Sequence, residues 1–233
     1  MIPAIPARRS SHALRVIAAS LVVYSFFFGL AVGISVLPHN RTLGTDFMAF
    51  YASGLTFMHS GDPYNVAQLK LSELHLRSIG NPTVGFVFND YANPPFFAWA
   101  MSAFTRMSLP HAYTLWLALM IGALVGALTI VGRTYGVSGR GWLMLLMALT
   151  SAAQWTYFFG QQTPLLLLAL AVALFALRHH RPTLAGAVLA VGWLKPHLLL
   201  PIILALIILL SWHEARRLIG GFLGASLAVT GAY

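Results

Sequence analysis

The chain has 233 residues, of which 58% are apolar and 8% are charged, and its mean hydropathy is +0.77. Soluble domains carry roughly 25% charged residues, so this composition excludes a soluble globular protein and indicates a membrane protein. The net charge of +9 comes from 14 scattered basic residues against five acidic ones, a pattern too dispersed for nucleic-acid binding, and no nucleic-acid partner is expected. The chain has no cysteine, which excludes disulfides and thiolate metal sites.

Membrane helices are located by the gaps between charged residues, because a bilayer core needs about 20 apolar residues per helix. The first predicted span covers residues 14–37, and the arginines that precede it place the N-terminus in the cytoplasm. Residues 38–108 form an outer loop with juxtamembrane helices. Further membrane helices, some of them short, are predicted for residues 109–132, 142–159, 164–177, 183–195, 197–212 and 218–233. The fold class is therefore all-α: one polytopic helix bundle, 1–233, with a helical extracytoplasmic first loop.

Segment 94–108 decides which loops face outside, and two topologies compete. If the segment crosses the membrane, six later arginines become external, against the positive-inside rule. If it is a juxtamembrane helix, all six lie in the cytoplasm, and this second topology is favoured. The outer loop, the break near Gln161 and Lys195 then all face the outside. The six arginines are Arg133, Arg140, Arg178, Arg181, Arg216 and Arg217.

Four of the five acids lie in the outer loop, and Asp46 is the one closest to the first span. A carboxylate at the membrane surface can act as a general base towards lipid-borne substrates. The alternative, which does not exclude the first, is that Thr45 or Asp46 caps the helix that follows. The apolar residues that follow Asp46 are spaced as on one face of a helix, which favours an amphipathic helix lying on the membrane surface. These residues are Phe47, Phe50, Tyr51 and Leu55. A second short helix is predicted from Val66 to Ser78.

Polar residues interrupt the uncharged stretch 141–177 at Gly160-Gln161-Gln162-Thr163-Pro164. Polar backbone at membrane depth is tolerated mainly where it lines a cavity or is covered by protein, which makes Gln161 a candidate substrate-binding residue. The alternative is an ordinary short loop that ends one helix at Gly160 and starts the next near Pro164.

Lys195 is the only cation between Arg181 and Arg216. A lysine within an apolar stretch is a candidate functional residue whose natural partner is an anion. A phosphate or pyrophosphate headgroup would suit, with His197 as a second donor. The alternative is a lysine at a hairpin tip that extends its ammonium group to the membrane surface.

The stretch Tyr91-Ala92-Asn93-Pro94-Pro95-Phe96 is rigid and aromatic, which suits the wall of a sugar or lipid pocket. A helix start with proline in its first turn explains the same residues. His59 and His75 in the outer loop lack metal-ligand spacing, so no metal site is expected.

Five short motifs occur in a characteristic order. They are Gly44-Thr45-Asp46-Phe47 with Tyr51-Ala52-Ser53-Gly54, then Gly61-Asp62-Pro63-Tyr64, Asn93-Pro94-Pro95-Phe96, Gly160-Gln161-Gln162, and Ala185-Gly186 leading to Lys195-Pro196. This series resembles glycosyltransferase family 87, which includes polyprenol-phosphate-mannose-dependent mannosyltransferases and has the integral-membrane glycosyltransferase C fold.

The resemblance implies transfer of a hexose, expected to be mannose, from a polyprenyl-phosphate-sugar donor to a lipid or glycan acceptor. The reaction would take place on the outer face of the cytoplasmic (inner) membrane, with inversion and without metal or cofactor. Asp46 takes the role of catalytic base, Lys195 and His197 that of donor-phosphate binding, and Gln161 that of substrate binding. Substrate binding is also assigned to Tyr51 and Asn93 of the same motifs and to Tyr91, which lies two residues before Asn93.

Two departures from the family pattern accompany the resemblance. Thr163-Pro164 follows the Gly-Gln motif where an asparagine is common, and the chain ends at Tyr233, well before other members, which is expected of a truncated sequence. Two other functions compete with transfer: a membrane transporter, and an inactive fragment or non-catalytic membrane subunit.

Overall fold

The computed structural model describes residues 44–78, 91–136, 139 and 156–231. Within these residues the regular elements are all helical, which confirms the predicted all-α class for this part of the chain. The α-helices are α1 (Thr45–Met58), α2 (Val66–Ser78), α3 (Pro95–Ser102), α4 (Leu109–Tyr135), α5 (Thr163–Arg178), α6 (Pro182–Leu189), α7 (Pro196–Leu209) and α8 (Trp212–Thr230). A 3₁₀-helix, Phe104–Arg106, follows α3, and another, Ala190–Leu194, extends α6.

Two of the predicted membrane segments fall largely outside the described residues. The first span, 14–37, lies outside them entirely, as does Arg140. Of the predicted helix 142–159, the structure describes residues 156–159, which are helical.

Helix α4 is the one described helix that is long and apolar enough to cross a membrane. It begins with Pro110 in its first turn and ends at Gly136, which has φ +64° and provides a left-handed C-cap. Three shorter apolar helical stretches follow: Thr163–Arg178, Pro182–Leu194 and Pro196–Leu209. A 16-residue helix such as α5 is about 24 Å long, less than the roughly 30 Å of a hydrocarbon core. A polytopic bundle therefore remains a prediction.

Helices α4 to α8 run up and down between two ends of the molecule. Helix α4 packs along α5, α5 along α6, and α6 along α8. At one end Lys195 donates hydrogen bonds to residues at the start of α5; we call this the lysine end. At the other end the guanidinium carbon of Arg178 lies 5.6 Å from the ring centroid of Tyr135; we call this the arginine end, and it comprises residues 133–136, 178–181 and 211–217.

Helix α1 lies in the protein core, so the predicted amphipathic character is wrong, while its position at the membrane surface stays a prediction. Ten of its 14 residues are buried, including the small residues Ala52 and Ser53 on the face opposite its aromatic side chains. A Cβ on Gly54 would lie 2.6 Å from the backbone carbon of Met101, so α3 packs directly on the aromatic side of α1. On the opposite side, the Thr56 hydroxyl lies 2.8 Å from that of Ser72 in α2. The aromatic spacing identified one buried face, but the small residues allow the second face to be buried as well.

Helix α8 begins at Trp212, before the predicted start at residue 218. Its N-terminus is a capping box, in which the Ser211 side chain accepts from the Glu214 amide and the Glu214 carboxylate accepts from the Ser211 amide. The Ser-x-x-Glu pattern was visible in the sequence. The first turn was missed because its charged residues were read as loop.

Candidate active site

Asp46 lies in the first turn of α1, and its side chain is partly buried. The N-cap of α1 is Gly44, with φ 71°, and its amide donates to the carbonyl of Phe158 at 2.6 Å. The prediction that Thr45 or Asp46 is the N-cap is therefore wrong, since both are helical residues. At this position the positive end of the helix dipole stabilises the ionised Asp46 carboxylate. The Gly44–Phe158 hydrogen bond connects the start of α1 to the break at Gly160.

The break at 160–162 is a short loop, as its alternative interpretation predicted, and it is fixed against the start of α1. Gly160 has φ +73°, and a Cβ there would lie 2.6 Å from the Cβ of Phe47. The carbonyl of Gly160 accepts from the indole N–H of Trp116 at 2.7 Å. The backbone N–H of Gln161 donates to the carbonyl oxygen of Thr156 at 2.9 Å. Only glycine combines this backbone conformation with so close an approach.

Lys195 occupies the N-cap of α7, and its side chain is half-buried. Its Nζ donates to Gln161 Oε1 at 3.0 Å and to Thr163 Oγ1 at 2.9 Å. Burial lowers the pKa of Lys195, and the nearby Asp46 carboxylate acts in the opposite direction. The lysine thus lies at the turn between the 3₁₀-helix Ala190–Leu194 and α7, where protein groups hold its ammonium group. It lies within hydrogen-bond distance of Gln161 and within electrostatic reach of Asp46.

Gln162 is a central residue that the sequence analysis did not select. Its side chain is 3% exposed, and its Nε2 donates to Asn93 Oδ1 at 2.6 Å and to Leu194 O at 3.5 Å. It therefore joins the loop before α3 to the residue preceding Lys195. The signal was two consecutive glutamines in an apolar stretch, of which only the first was chosen.

Among the other predicted substrate-binding residues, Tyr51 and Tyr91 belong to the buried core that also contains Phe47 and Leu194. Asn93 is buried, and its carbonyl accepts from the hydroxyl of Tyr64 at 2.6 Å. The hydroxyl of Tyr91 donates to Pro94 O at 2.9 Å, and that of Tyr51 donates to Met107 O at 2.7 Å. His197 is exposed on the first turn of α7. Of these residues, the described hydrogen bonds connect Asn93 to the break through Gln162.

An apolar groove of about 160 Å³ lies between α5, α7 and the C-terminal part of α6 with its 3₁₀ extension. One of its lining residues is Thr163, whose hydroxyl accepts from Lys195. The groove is otherwise lined mainly by aliphatic side chains, among them Leu166, Leu167, Leu170, Leu199 and Ile202. A charged group and a hydrocarbon surface thus meet at Thr163. Among the described residues, no group of three or more His, Asp or Glu is placed to hold a metal ion.

Residues 91–233, more than half of the chain, match the model of glycosyltransferase family 87. The chain belongs to this family. The match includes Asn93, the Gln161 break and Lys195, and begins after Asp46. No curated protein and no solved structure matches the chain. Family membership confirms the resemblance and makes the chain a glycosyltransferase; together with the apolar helix α4, it supports membrane association. It favours sugar transfer over the transporter alternative.

Proposed function

We propose that this glycosyltransferase moves a hexose, mannose in the first instance, from a polyprenyl-phosphate-sugar donor to a lipid or glycan acceptor. The observation that carries the proposal is that Thr163 accepts a hydrogen bond from Lys195 and also lines the apolar groove. A ligand with an anionic headgroup and a hydrocarbon chain can occupy both features at once. A sugar nucleotide, which has no such chain, would leave the groove unused.

Lys195 supplies the positive charge for the donor phosphate in this proposal. The half-buried position strengthens its interaction with an anion relative to an exposed lysine. The N-terminus of α7, which begins at the next residue, adds the positive end of a helix dipole. His197 on the first turn of α7 is the second donor to the phosphate. Gln161 accepts from Lys195 through Oε1, and the N–H groups of its side-chain amide donate to the sugar or phosphate oxygens.

Asp46 acts as the general base. The acceptor hydroxyl gives its proton to the Asp46 carboxylate as its oxygen forms the bond to the anomeric carbon. The bond from that carbon to the phosphate oxygen breaks at the same time, and the electron pair leaves with the polyprenyl phosphate, whose charge Lys195 stabilises. Attack from the face opposite the leaving group inverts the anomeric configuration. Tyr51, Tyr91 and Asn93 contribute to substrate binding by shaping the pocket walls.

The proposed orientation follows from charge. The arginine end lies in the cytoplasm by the positive-inside rule, so the lysine end and its reaction lie on the outer face of the cytoplasmic membrane. The chain is then multi-pass, with its N-terminus inside.

The donor class is tested in membranes that contain the full chain. Radiolabelled mannose is offered either on a polyprenyl phosphate or as GDP-mannose, with a lipid extract and an oligosaccharide as acceptors. We expect label transfer and release of polyprenyl phosphate from the lipid donor, and a product of opposite anomeric configuration. Transfer from GDP-mannose under conditions that block polyprenyl-phosphate-mannose synthesis would contradict the proposal.

A further inference from the structure

The arginine end carries five exposed arginines drawn from three separate segments: Arg133, Arg178, Arg181, Arg216 and Arg217. Helix α6, which follows the turn at residues 178–181, packs along α8, and His180 of that turn lies within electrostatic reach of Glu214 in the first turn of α8. The end of α4 joins them through the contact between Arg178 and Tyr135. Within these three segments Glu214 is the one acid, so the surface is strongly positive.

Exposed apolar and aromatic side chains surround these charges. Trp212 is 74% exposed and Tyr135 is 53% exposed, while Ile208 and Leu209 at the end of α7 are 73% and 80% exposed. Arginines beside tryptophan and tyrosine, next to bare aliphatic side chains, are typical of the boundary between lipid headgroups and hydrocarbon. An aqueous surface would leave these aliphatic groups in water at a cost.

We infer that the arginine end binds the headgroups of anionic phospholipids in the leaflet opposite to Asp46. The charge complementarity selects the partner: the guanidinium groups pair with headgroup phosphates, to which arginine can donate two parallel hydrogen bonds. Trp212 and Tyr135 lie at the headgroup level, and Ile208 and Leu209 enter the hydrocarbon. This surface is separate from the lysine end, so the inference is independent of the proposed reaction.

Lipid selectivity is measured directly on the full chain. The protein is reconstituted in phosphatidylcholine vesicles with trace spin-labelled phosphatidylglycerol or phosphatidylcholine, and the motionally restricted fraction of each label is determined. We expect the wild type to favour phosphatidylglycerol, and this preference to weaken from 0.1 to 1 M salt through screening.

One double variant removes charge from the surface, and two further double variants serve as controls, one that keeps the charge and one that removes charge elsewhere. Arg216→Gln with Arg217→Gln should lower the preference, by up to about fivefold for each arginine. Arg216→Lys with Arg217→Lys keeps the charge and should retain most of the preference for phosphatidylglycerol. The matched control, Lys70→Gln with Arg106→Gln, removes two exposed charges outside the arginine end and should leave the preference unchanged.

Three outcomes would overturn the inference. The first is a wild type without preference for the anionic lipid, which would point to a protein partner or to bulk solvent at this surface. The second is a folded Arg216→Gln, Arg217→Gln variant with unchanged preference. The third is an equal loss in the Lys70→Gln, Arg106→Gln control, which would show that only total charge matters. If the double variant does not fold, Arg178→Gln with Arg181→Gln replaces it.

Discussion

The lysine end and the arginine end use positive charge in opposite ways. At the lysine end one cation is half-buried and bonded to Gln161 and Thr163, with one carboxylate, Asp46, acting on it. At the arginine end five cations are exposed, against Glu214. Exposed pairs contribute about 0–1 kcal/mol and are screened by salt, whereas a charge held in a low-dielectric setting interacts strongly with whatever approaches it. The first arrangement suits one bound anion and the second suits a charged surface.

The two ends also differ in how closely their glycines approach other segments. At the lysine end, motif glycines allow direct contact between segments: Gly160 lies on Phe47, and Gly44 contacts the ring of Tyr113. At the arginine end Gly136 has open space around the position of a Cβ. A site for chemistry needs its groups held closely, while a surface that meets lipid headgroups does not.

The largest expected effect is that of Asp46→Asn, which keeps the shape of the side chain and removes the base. We expect the turnover number to fall about 10²- to 10⁴-fold, with little change in donor binding. The measurement is the initial rate of sugar transfer together with donor affinity. The control is Asp62→Asn in the exposed turn before α2, which should keep nearly full activity; equal activity of the two variants would remove Asp46 from the mechanism.

The second prediction compares Lys195→Met with Arg178→Gln, one cation from each end. Lys195→Met removes a charged hydrogen-bonding group from the phosphate of the lipid-linked sugar, which should weaken binding of that substrate about 10- to 100-fold. Arg178→Gln should change the same binding less than about threefold. His197→Ala should lie between them. The measurement is the KM for the lipid-linked sugar.

The pH dependence of the same KM provides a second check on Lys195. The ammonium binds phosphate only while protonated, so donor binding should weaken as the pH rises through the pKa of Lys195. Because burial lowers that pKa, the loss should begin below the range of an ordinary lysine. In Lys195→Arg the alkaline loss should disappear, and a profile unchanged by that substitution would argue against Lys195 as the titrating group.

The third prediction concerns the backbone, through Gly160→Ala and Gly220→Ala. Alanine at position 160 must adopt φ +73° and place its Cβ 2.6 Å from that of Phe47, which should cost about 1–3 kcal/mol of stability. Alanine at position 220 enters a helix interior with open space and should be neutral or stabilising by up to about 1 kcal/mol. Thermal unfolding in detergent compares the two; an unaffected Gly160→Ala would contradict the tight packing of the break.

The smallest expected effect is the difference between two hydrogen-bond couplings. A double-mutant cycle of Asn93→Ala and Gln162→Ala probes a buried bond of 2.6 Å, and we expect a coupling of about 1 kcal/mol or more. The same cycle for Ser211→Ala and Glu214→Ala probes an exposed bond of 2.8 Å and should give about 0.5 kcal/mol. Equal couplings would mean that the lysine end is no better ordered than the surface.

Much of the helical pattern follows from the sequence alone. Charge gaps and proline or glycine signals located α4 to α7, because a run of apolar residues can hide its backbone polar groups only by forming a helix. The short helix predicted from Val66 to Ser78 is confirmed as α2. The start of α8 was recoverable from its capping box, yet the charges of its first turn hid it.

The candidate residues Asp46, Gln161 and Lys195 were also selected from the sequence, since a polar group in an apolar chain is costly and stands out. From the sequence alone, the proximity of these three residues in space was a hypothesis. It depends on the folding of segments more than 100 residues apart in the chain, which no local pattern encodes.

Tertiary structure alone decided three features of this protein. It buried both faces of α1, it made Gln162 rather than its neighbour the link between Asn93 and Leu194, and it joined Lys195 to an apolar groove through Thr163. Composition and spacing determine which residues must leave water and which helices they form. Which buried groups then meet depends on packing between distant segments, and that is where the chemistry of the site is determined.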